Sequence, residues 1–212
     1  MRCTLVVAVL LGACGTTQSV RPLGAGQSAV DLSIGGPLLT SPFVAPIPAT
    51  LVGFRRGLDE RSDVFGRAHV IPAAFRILGL DLGASRLLLS ENRSAPALSA
   101  SAQGLFLVGR GGAVAVPAAS LTASWSTGPW LVYAGSQHAV SFGRMLERSG
   151  AAFHWSPYMG ATRAAGRWTY GAELRWLEVN TGSDALAWWQ GIGGRGAVAP
   201  TFSIARRLGA AP

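Results

Sequence analysis

The sequence predicts an all-β fold: an antiparallel up-and-down β-barrel of about ten strands, with eight as the alternative count. Three observations lead to this prediction. Apolar residues recur with a period of two from Ala29 onward, turn-forming residues separate the alternating runs, and no comparably long stretch repeats at helical spacing. The 212 residues suffice for one domain, and nothing in them calls for two.

The composition indicates where such a fold would reside. Charged residues make up 13% of the chain, well below the roughly 25% of ordinary soluble domains, whereas hydrophobic residues reach 49%. Beyond the N-terminus no segment approaches the roughly 18 uninterrupted apolar residues that a membrane-spanning helix needs. The apolar surface must therefore be spread over many short elements, and low charge is tolerable if lipid covers the outside.

Residues 1–13 have the layout of a cleaved targeting signal, with a positive residue (Arg2) followed by an apolar core at 5–11. They lead into a segment that resembles the lipobox of bacterial lipoproteins, made of Leu11, Gly12, Ala13 and Cys14. The resemblance implies that the thiol of Cys14 receives a diacylglycerol, that the signal is cut before it, and that the new amine is acylated. The alternative is an ordinary secretory signal that contains a cysteine.

A lipobox has consequences for anchoring and location. Three acyl chains would hold the chain stably on a membrane, and Gly15 fits sorting to the bacterial outer membrane, so membrane lipid and the lipoprotein sorting machinery are the expected partners. Residues 14–27 are predicted to be a flexible tether. Because the only cysteines are Cys3 and Cys14, the folded body can contain neither a disulfide nor a thiolate metal site. The lipid is the only covalent group expected, and no cofactor is predicted.

Residues 28–208 are predicted to form the barrel, followed by a tail at 209–212. Each of the clearest runs alternates apolar with small or polar residues, as in VDLSI at 30–34. The other clear runs are residues 78–86, 98–108, 120–126, 167–176 and 198–206.

Turn signals divide the rest of the barrel region. They leave ten strands of roughly ten residues, the length that crosses a bilayer when tilted. An even number returns the C-terminus to the side of the N-terminus. These signals are residues 37–48, 57–63, 72–76, 90–96, 109–112, 127–129, 143–150, 163–167 and 180–184.

Two architectures could use this alternation. A soluble sandwich or barrel would bury its apolar face, whereas a transmembrane barrel turns that face to lipid and fills its lumen with small and polar residues. The non-apolar faces are rich in Gly, Ser and Thr, which favours the membrane version. Tryptophans near strand ends would form an interfacial girdle; in the soluble alternative they would be core. They are Trp125, Trp130, Trp168, Trp188 and Trp189.

The hairpin LVGFRRGLDERSDVFGRAHV at 51–70 resembles the strand, short acidic turn and strand unit of bacterial outer-membrane β-barrel proteins. The whole chain is similar to lipobox-bearing outer-membrane barrels of unassigned role. The resemblance implies an outer-membrane location and the barrel assembly machinery as a candidate partner. The chain departs from the usual substrates of that machinery, because it finishes RRLGAAP rather than on an aromatic residue.

Charged residues on or near the polar faces are predicted to point into the lumen, where ion pairs across strands would satisfy them or tune a narrow pore. They are Asp31, Arg67, Asp81, Arg86, Glu173 and Arg175. Ten strands leave little bore once side chains fill it, so free solute flow is not expected.

One constellation suggests an enzyme. In FHWSPY at 153–158, strand alternation places His154 and Ser156 on one face, and Glu173 on the next strand could orient the imidazole. This arrangement resembles the His-x-Ser site of outer-membrane lipid A deacylases, although Pro157 stands where that family has Asn. The alternative is an ordinary lumenal pair, and the predicted function is non-enzymatic. The three histidines are far apart in sequence, so no metal site is predicted.

Composition also argues against nucleic-acid binding. All 18 basic residues are arginines, and they are scattered, whereas a nucleic-acid binder would gather them on one face. Three functions remain: a lipid-anchored outer-membrane barrel with a structural, surface-interaction or narrow-pore role; a lipid-tethered periplasmic barrel that binds a small apolar ligand; and an acyl hydrolase.

Overall fold

The computed structural model describes residues 19–39, 45–46, 49–74, 76–110, 112–145, 152–182 and 190–209. Over these residues the chain forms a closed antiparallel barrel of ten strands, which confirms the predicted fold class and the higher strand count. The predicted signal, its lipobox with Cys14, and the pair Trp188 and Trp189 lie outside the described residues. No helix in the described part is long and apolar enough to cross a membrane.

Consecutive barrel strands pair with each other, and the first pairs with the last to close the ring. The barrel strands are β1 (Ser28–Gly35), β4 (Ala49–Gly57), β5 (Ser62–His69), β6 (Leu78–Leu89), β7 (Ala97–Gly109), β8 (Gly112–Thr127), β9 (Trp130–Met145), β10 (Ala152–Ala165), β11 (Trp168–Gly182) and β12 (Arg195–Leu208). Within the first connection β2 (Leu38–Leu39) pairs with β3 (Ala45–Pro46), and a short helix α1 (Val70–Ala74) follows β5.

The two ends of the barrel differ. Strand β1 begins and β12 ends at one end, which we call the terminal rim; it also carries the short turns at 58–61, 128–129 and 166–167. The opposite end, the loop rim, carries the longer connections at 36–48 and 183–194. Short turns on the side of the termini and longer loops opposite are the usual arrangement in outer-membrane barrels.

The two faces of the wall divide as the alternation predicts. On β1 the side chains of Val30, Leu32 and Ile34 point outward and are 40%, 43% and 50% exposed, while Asp31 and Ser33 between them are buried. The inward face is mostly polar across the whole ring. Its buried polar and charged side chains include Asp63, Arg67, Asp81, Ser85, Ser99, Ser101, Ser120, Thr122, Ser124, Ser156, Glu173, Arg175 and Thr201.

Near the loop rim an apolar layer lines one side of the lumen. Leu105, Leu107 and Val114 point inward from β7 and β8 and pack with Ile77, which precedes β6. The apolar layer is local, because further toward the terminal rim Ser101 and Ser120 occupy inward positions of the same strands and are joined by a 2.6 Å hydrogen bond.

Glycines make room for two large lumenal side chains, Tyr133 and Tyr158, which pack edge to face with ring centroids 6.4 Å apart. A Cβ added to Gly135 would lie 2.5 Å from the Tyr158 hydroxyl and 2.5 Å from the Leu121 carbonyl oxygen. A Cβ on Gly160 would lie 2.5 Å from the Tyr133 ring. The glycines are therefore required by packing inside a narrow barrel rather than by backbone conformation.

We expect Gly135→Ala to destabilise the barrel by about 1–3 kcal/mol, the usual cost of overpacking a filled interior. The matched control is Gly66→Ala, whose added Cβ meets only the flexible end of Leu82 at 3.1 Å. Unfolding in detergent, followed by the change in gel mobility on heating, measures both. Equal stabilities of the two variants would contradict the packing account.

Candidate functional site

The middle of the lumen holds a buried charged cluster on one side of the barrel. Arg67 on β5 lies between two carboxylates, with Nε 3.4 Å from Oδ2 of Asp31 and Nη1 3.8 Å from Oδ2 of Asp81. Its guanidinium also lies 4.6 Å from the centroid of the Phe65 ring. Gly53 opposite makes this possible, because a Cβ there would lie 2.7 Å from Asp31 and 2.8 Å from Arg67. One cation thus serves two acids that face each other across strands.

A second cluster lies on the opposite wall. Arg175 on β11 contacts Glu173 through two nitrogens, at 2.8 Å from Nη2 and 3.2 Å from Nε, and it donates a further hydrogen bond to Gln137. The Tyr133 hydroxyl donates to Glu173 at 3.1 Å, and the guanidinium lies 5.0 Å from the Tyr158 ring centroid. Neither charge is left buried without an opposite charge, as low-dielectric burial requires.

The structure places the predicted lumenal charges as follows. Asp31, Arg67, Asp81, Glu173 and Arg175 are buried on the inner face. Arg86 is not: it is exposed and shares its parity with Leu82, so it lies on the outer face near the terminal rim. Its prediction as lumenal was wrong because position 86 continues the apolar set of β6, in which successive side chains alternate between faces.

Residues 19–27, which we call the N-terminal segment, run from the lumen to the terminal rim: Ser19 and Val20 are buried, whereas Ala25 and Gly26 are exposed in the turn before β1. Before β1 the chain reverses in a turn closed by a 3.0 Å bond from the Gln27 amide to the Gly24 carbonyl, with Gly26 at φ 71°, a conformation that favours glycine. Val20, upstream of the turn, is buried against Tyr133 and Tyr158 in the lumen.

Arg21 fixes this segment to the terminal rim. Its guanidinium donates to Ser124 Oγ and Ser126 Oγ of β8, both at 3.0 Å, and to Glu91 Oε2 in the β6–β7 turn at 2.7 Å. Glu91 also accepts from the amide and hydroxyl of Ser126, at 2.8 and 2.7 Å. The Ser126 amide, and after it the Arg21 guanidinium, lower the pKa of Glu91 from its ordinary 4.5 to about 2.

A second set of contacts holds the segment to the other wall. The Leu23 amide donates to Asp63 Oδ2 at 3.2 Å, and Arg55 donates both to Asp63 and, at 2.9 Å, to the Arg21 carbonyl. Ser85 donates to the second oxygen of Asp63. The prediction of a flexible tether at 14–27 is therefore wrong for residues 19–27. A polar, glycine-rich sequence resembles a linker. The groups that residues 19–27 contact lie far away in the sequence, so only the folded barrel reveals them.

The three predicted girdle tryptophans that the structure describes lie at one level. Trp125, Trp130 and Trp168 are exposed on the outer face at the terminal rim. Arg163 lies 5.7 Å from the Trp130 ring and Arg206 lies 5.5 Å from the Trp168 ring, so each of these two tryptophans is paired with a cation. Paired aromatic and basic side chains suit the boundary between hydrocarbon and headgroups.

The predicted constellation of His154, Ser156 and Glu173 does not assemble. His154 Nε2 lies 2.9 Å from Ser141 Oγ on β9, and its Nδ1 lies 3.4 Å from Glu178 Oε1 on β11. Ser156 Oγ instead accepts the Glu178 amide at 3.1 Å, and Glu173 is paired with Arg175. Residues two apart on a strand share a face but are separated by two rises of the chain, whereas neighbours on adjacent strands come closer.

No cluster of three or more potential metal-ligating residues occurs within the described part of the chain. The three histidines are dispersed: His69 is buried near the loop rim, His154 is the lumenal residue just described, and His138 is on the outer face. His138 stacks on the rings of Phe153 and Trp155 at centroid distances of 5.9 and 6.4 Å.

No family model and no curated protein matches the chain. Among solved structures it is similar to an outer-membrane channel of Pseudomonas putida, with a TM-score of 0.52, 8% identity, and coverage of 91% of this chain and 99% of that one. The translocator domain of a Neisseria meningitidis autotransporter (TM-score 0.36, 9% identity, 88% and 90% covered) and the Ail attachment protein of Yersinia pestis (0.29, 9%, 87% and 99%) are more distant in shape. At these identities the likeness is one of fold: a closed antiparallel barrel of the outer-membrane type.

We expect Arg175→Met to destabilise the barrel by about 3–5 kcal/mol, because Glu173 would remain buried without its cation. The double variant Arg175→Met/Glu173→Gln should recover much of that loss, since it removes both charges of the pair and leaves neither buried alone. Denaturant unfolding in micelles measures the series. A double variant no more stable than Arg175→Met would contradict the pairing.

The pH dependence of stability should report on Glu91. Because its pKa is lowered in the folded state, its contribution is fully present above pH about 4.5 and is lost as the pH falls toward 2. We therefore expect Glu91→Gln to be less stable than the wild type at pH 7, with the gap closing between pH 4.5 and 2. Thermal unfolding in detergent at a series of pH values tests this, and a gap independent of pH would contradict it.

Proposed function

We propose that the protein is a lipid-anchored β-barrel of the bacterial outer membrane with a structural or surface-interaction role, whose lumen is closed by its own N-terminal segment. The observation that carries the proposal is the division of the wall into two faces. Residues such as Val30, Leu32 and Ile34 expose apolar surface outward, while the inward face is polar and charged. A soluble barrel would show the reverse.

The outer surface supports a membrane setting in a second way. Phe54, Leu82, Phe106 and Leu174 continue the apolar belt of β1 on other strands, each 45–47% exposed. A belt of exposed apolar side chains around a whole ring is too large for a soluble monomer, whereas hydrocarbon solvates it. Tryptophans at the terminal rim supply one boundary of that belt.

The same division weakens the apolar-ligand alternative. A small apolar ligand would need an apolar cavity, but the middle of the lumen holds Arg67 with its two aspartates and Arg175 with Glu173. The N-terminal segment fills the lumen toward the terminal rim, where Val20 occupies the space against the tyrosines. The narrow-pore role is likewise disfavoured as long as the segment is in place.

The lipid anchor rests on the sequence of Cys14 and its lipobox. We expect the wild type to incorporate labelled palmitate in a bacterial host and Cys14→Ser not to. Because the barrel itself supplies the apolar surface, Cys14→Ser should still require detergent and should still change gel mobility on heating. A water-soluble, monomeric Cys14→Ser protein would contradict the membrane-spanning proposal, and an unlabelled wild type would contradict the anchor alone.

Closure by the segment predicts a conductance phenotype. In planar bilayers we expect little current through the wild type and a clear increase in Arg21→Ala, which loses the bonds to Ser124, Ser126 and Glu91. The matched control is Arg56→Ala, which removes an exposed arginine from the outer face of β4 nearby. Equal currents through all three proteins would contradict a closing role for residues 19–27.

A further inference from the structure

We propose that Ser141, His154 and Glu178 form a nucleophilic site that hydrolyses carboxylic esters of acyl chains. This goes beyond the membrane role proposed above, and it would replace the expectation of a non-enzymatic protein. The three side chains come from the consecutive strands β9, β10 and β11 and meet on the inner face near the loop rim. We call them the lumenal triad.

The distances suit the transfer of a proton from serine to histidine. Ser141 Oγ lies 2.9 Å from His154 Nε2, and Glu178 Oε1 lies at ion-pair distance, 3.4 Å, from Nδ1, a buried nitrogen that makes no hydrogen bond within the described part of the chain. A carboxylate beside Nδ1 favours the tautomer that carries its proton there. Nε2 is then left as the acceptor for the Ser141 hydroxyl proton, the arrangement that activates a serine.

Glu178 reaches the lumen only because its strand is irregular. The pairing of β11 with β12 shifts register between Leu177 and Gly182, and Glu178 has φ 50°, a left-handed conformation that is rare for a residue with a side chain. In regular alternation position 178 would point outward, since Arg175 and Leu177 point inward. A bulge and a strained residue that redirect one carboxylate toward a histidine are typical of a functional site.

The wall beside the triad is also interrupted. The pairing of β10 with β11 runs only from Tyr158 to Ala165. Nearer the loop rim, the Asn180 side chain takes the place of the ladder: it accepts the Trp155 amide at 3.2 Å and donates to the Phe153 carbonyl at 2.8 Å. Pro157, at the interruption, has no amide to contribute.

A second interruption lies behind Ser141. The pairing of β8 with β9 stops after Ala115 and Phe142 and resumes at Ala118 and Ala139, so that Pro117 faces a gap in the ladder. The triad is thus flanked on two sides by wall that is not held by continuous backbone hydrogen bonds. Such wall opens more easily than a complete ladder.

The surroundings indicate the class of substrate. On the outer face of the interrupted wall lie Phe142, Phe153 and Trp155, all exposed apolar side chains, while the triad itself is on the polar inner side. A molecule with an acyl chain outside and a polar ester at the wall would match both. The ester can come from a membrane lipid or from a soluble ester that enters at the loop rim.

The reaction follows from these positions. Ser141 Oγ attacks the ester carbonyl carbon while its proton passes to His154 Nε2, and Glu178 stabilises the imidazolium through Nδ1. The C–O bond to the alcohol breaks, and Nε2–H protonates the departing oxygen, leaving an acyl group on Ser141. Water then gives a proton to Nε2, its oxygen attacks the acyl carbon, and the proton returns to Ser141 as the carboxylic acid leaves.

The test uses the full chain purified in detergent. We expect the wild type to be labelled by a fluorophosphonate probe and to hydrolyse p-nitrophenyl esters, and we expect Ser141→Ala and His154→Gln to lose at least about 100-fold of the rate, the usual size of general-base catalysis. The matched control is Ser136→Ala. Ser136 Oγ also lies beside an imidazole, 3.1 Å from His138 Nε2, but on the outer face, and this variant should keep its rate within twofold.

Two further measurements test the role of Glu178 and distinguish a membrane lipid from a soluble ester as the substrate. Glu178→Gln should lower the rate and move the pH profile, which loss of a merely structural contact would not do. Faster hydrolysis of the palmitate ester than of the butyrate ester indicates a membrane lipid, and the reverse indicates a soluble ester. An unlabelled wild type without activity on either ester overturns the proposal, as does labelling that survives Ser141→Ala. The heat-dependent gel mobility shows separately that each variant has folded as a barrel.

Discussion

Every charged side chain that points into this barrel needs an opposite charge nearby, because the lumen enclosed by ten strands is narrow and largely shielded from water. The two clusters meet this constraint differently. Arg67 balances two aspartates at ion-pair distances, Asp31 of β1 at 3.4 Å across β4 and Asp81 of the adjacent β6 at 3.8 Å. Arg175 instead contacts one glutamate, one glutamine and one aromatic ring. Glycines opposite these groups are as necessary as the charges, since Gly53, Gly135 and Gly160 leave the space that the large side chains occupy. Sequence positions that look featureless therefore determine where the polar groups can lie.

The N-terminal segment occupies part of the same narrow lumen and contacts some of the same polar groups. Arg55 and Asp63 would form an ordinary cross-strand pair, but both also bind the segment, at Arg21 O and the Leu23 amide. The segment satisfies polar groups at the terminal rim that would otherwise meet water, and Val20 covers the tyrosine pair. Along its axis the lumen is occupied by an apolar layer at the loop rim, charged clusters in the middle, and the chain's own start at the terminal rim.

The fold was largely predictable, because a period of two in six clear runs identifies strands and the apolar face of each, and the turn signals divide the rest of the barrel into ten strands. The same alternation places Asp31, Asp81 and Glu173 on the inner face. It also places Arg86 on the outer face, because Arg86 is four residues after the outward Leu82 on the same strand. It could not find the N-terminal segment, whose residues carry no periodicity. Nor could it find the triad, because Ser141 and His154 belong to different strands and Glu178 points inward only through a bulge. Prolines at 117 and 157 within otherwise regular strands were the available signal that the ladder is broken there.

The position of the N-terminal segment also bears on the order in which the protein assembles. Residues 19–27 leave the ribosome before any strand, and their hydrogen-bond partners Asp63, Glu91 and Ser124 all precede β9 in the chain. These contacts can form on an open, curved sheet, before β12 exists to pair with β1. If they form first, the segment acts as an internal template around which the sheet curls, and no chain end has to thread into a finished ring. Closure of the last seam would then trap the segment, and its release would require the terminal rim to loosen rather than the barrel to unfold.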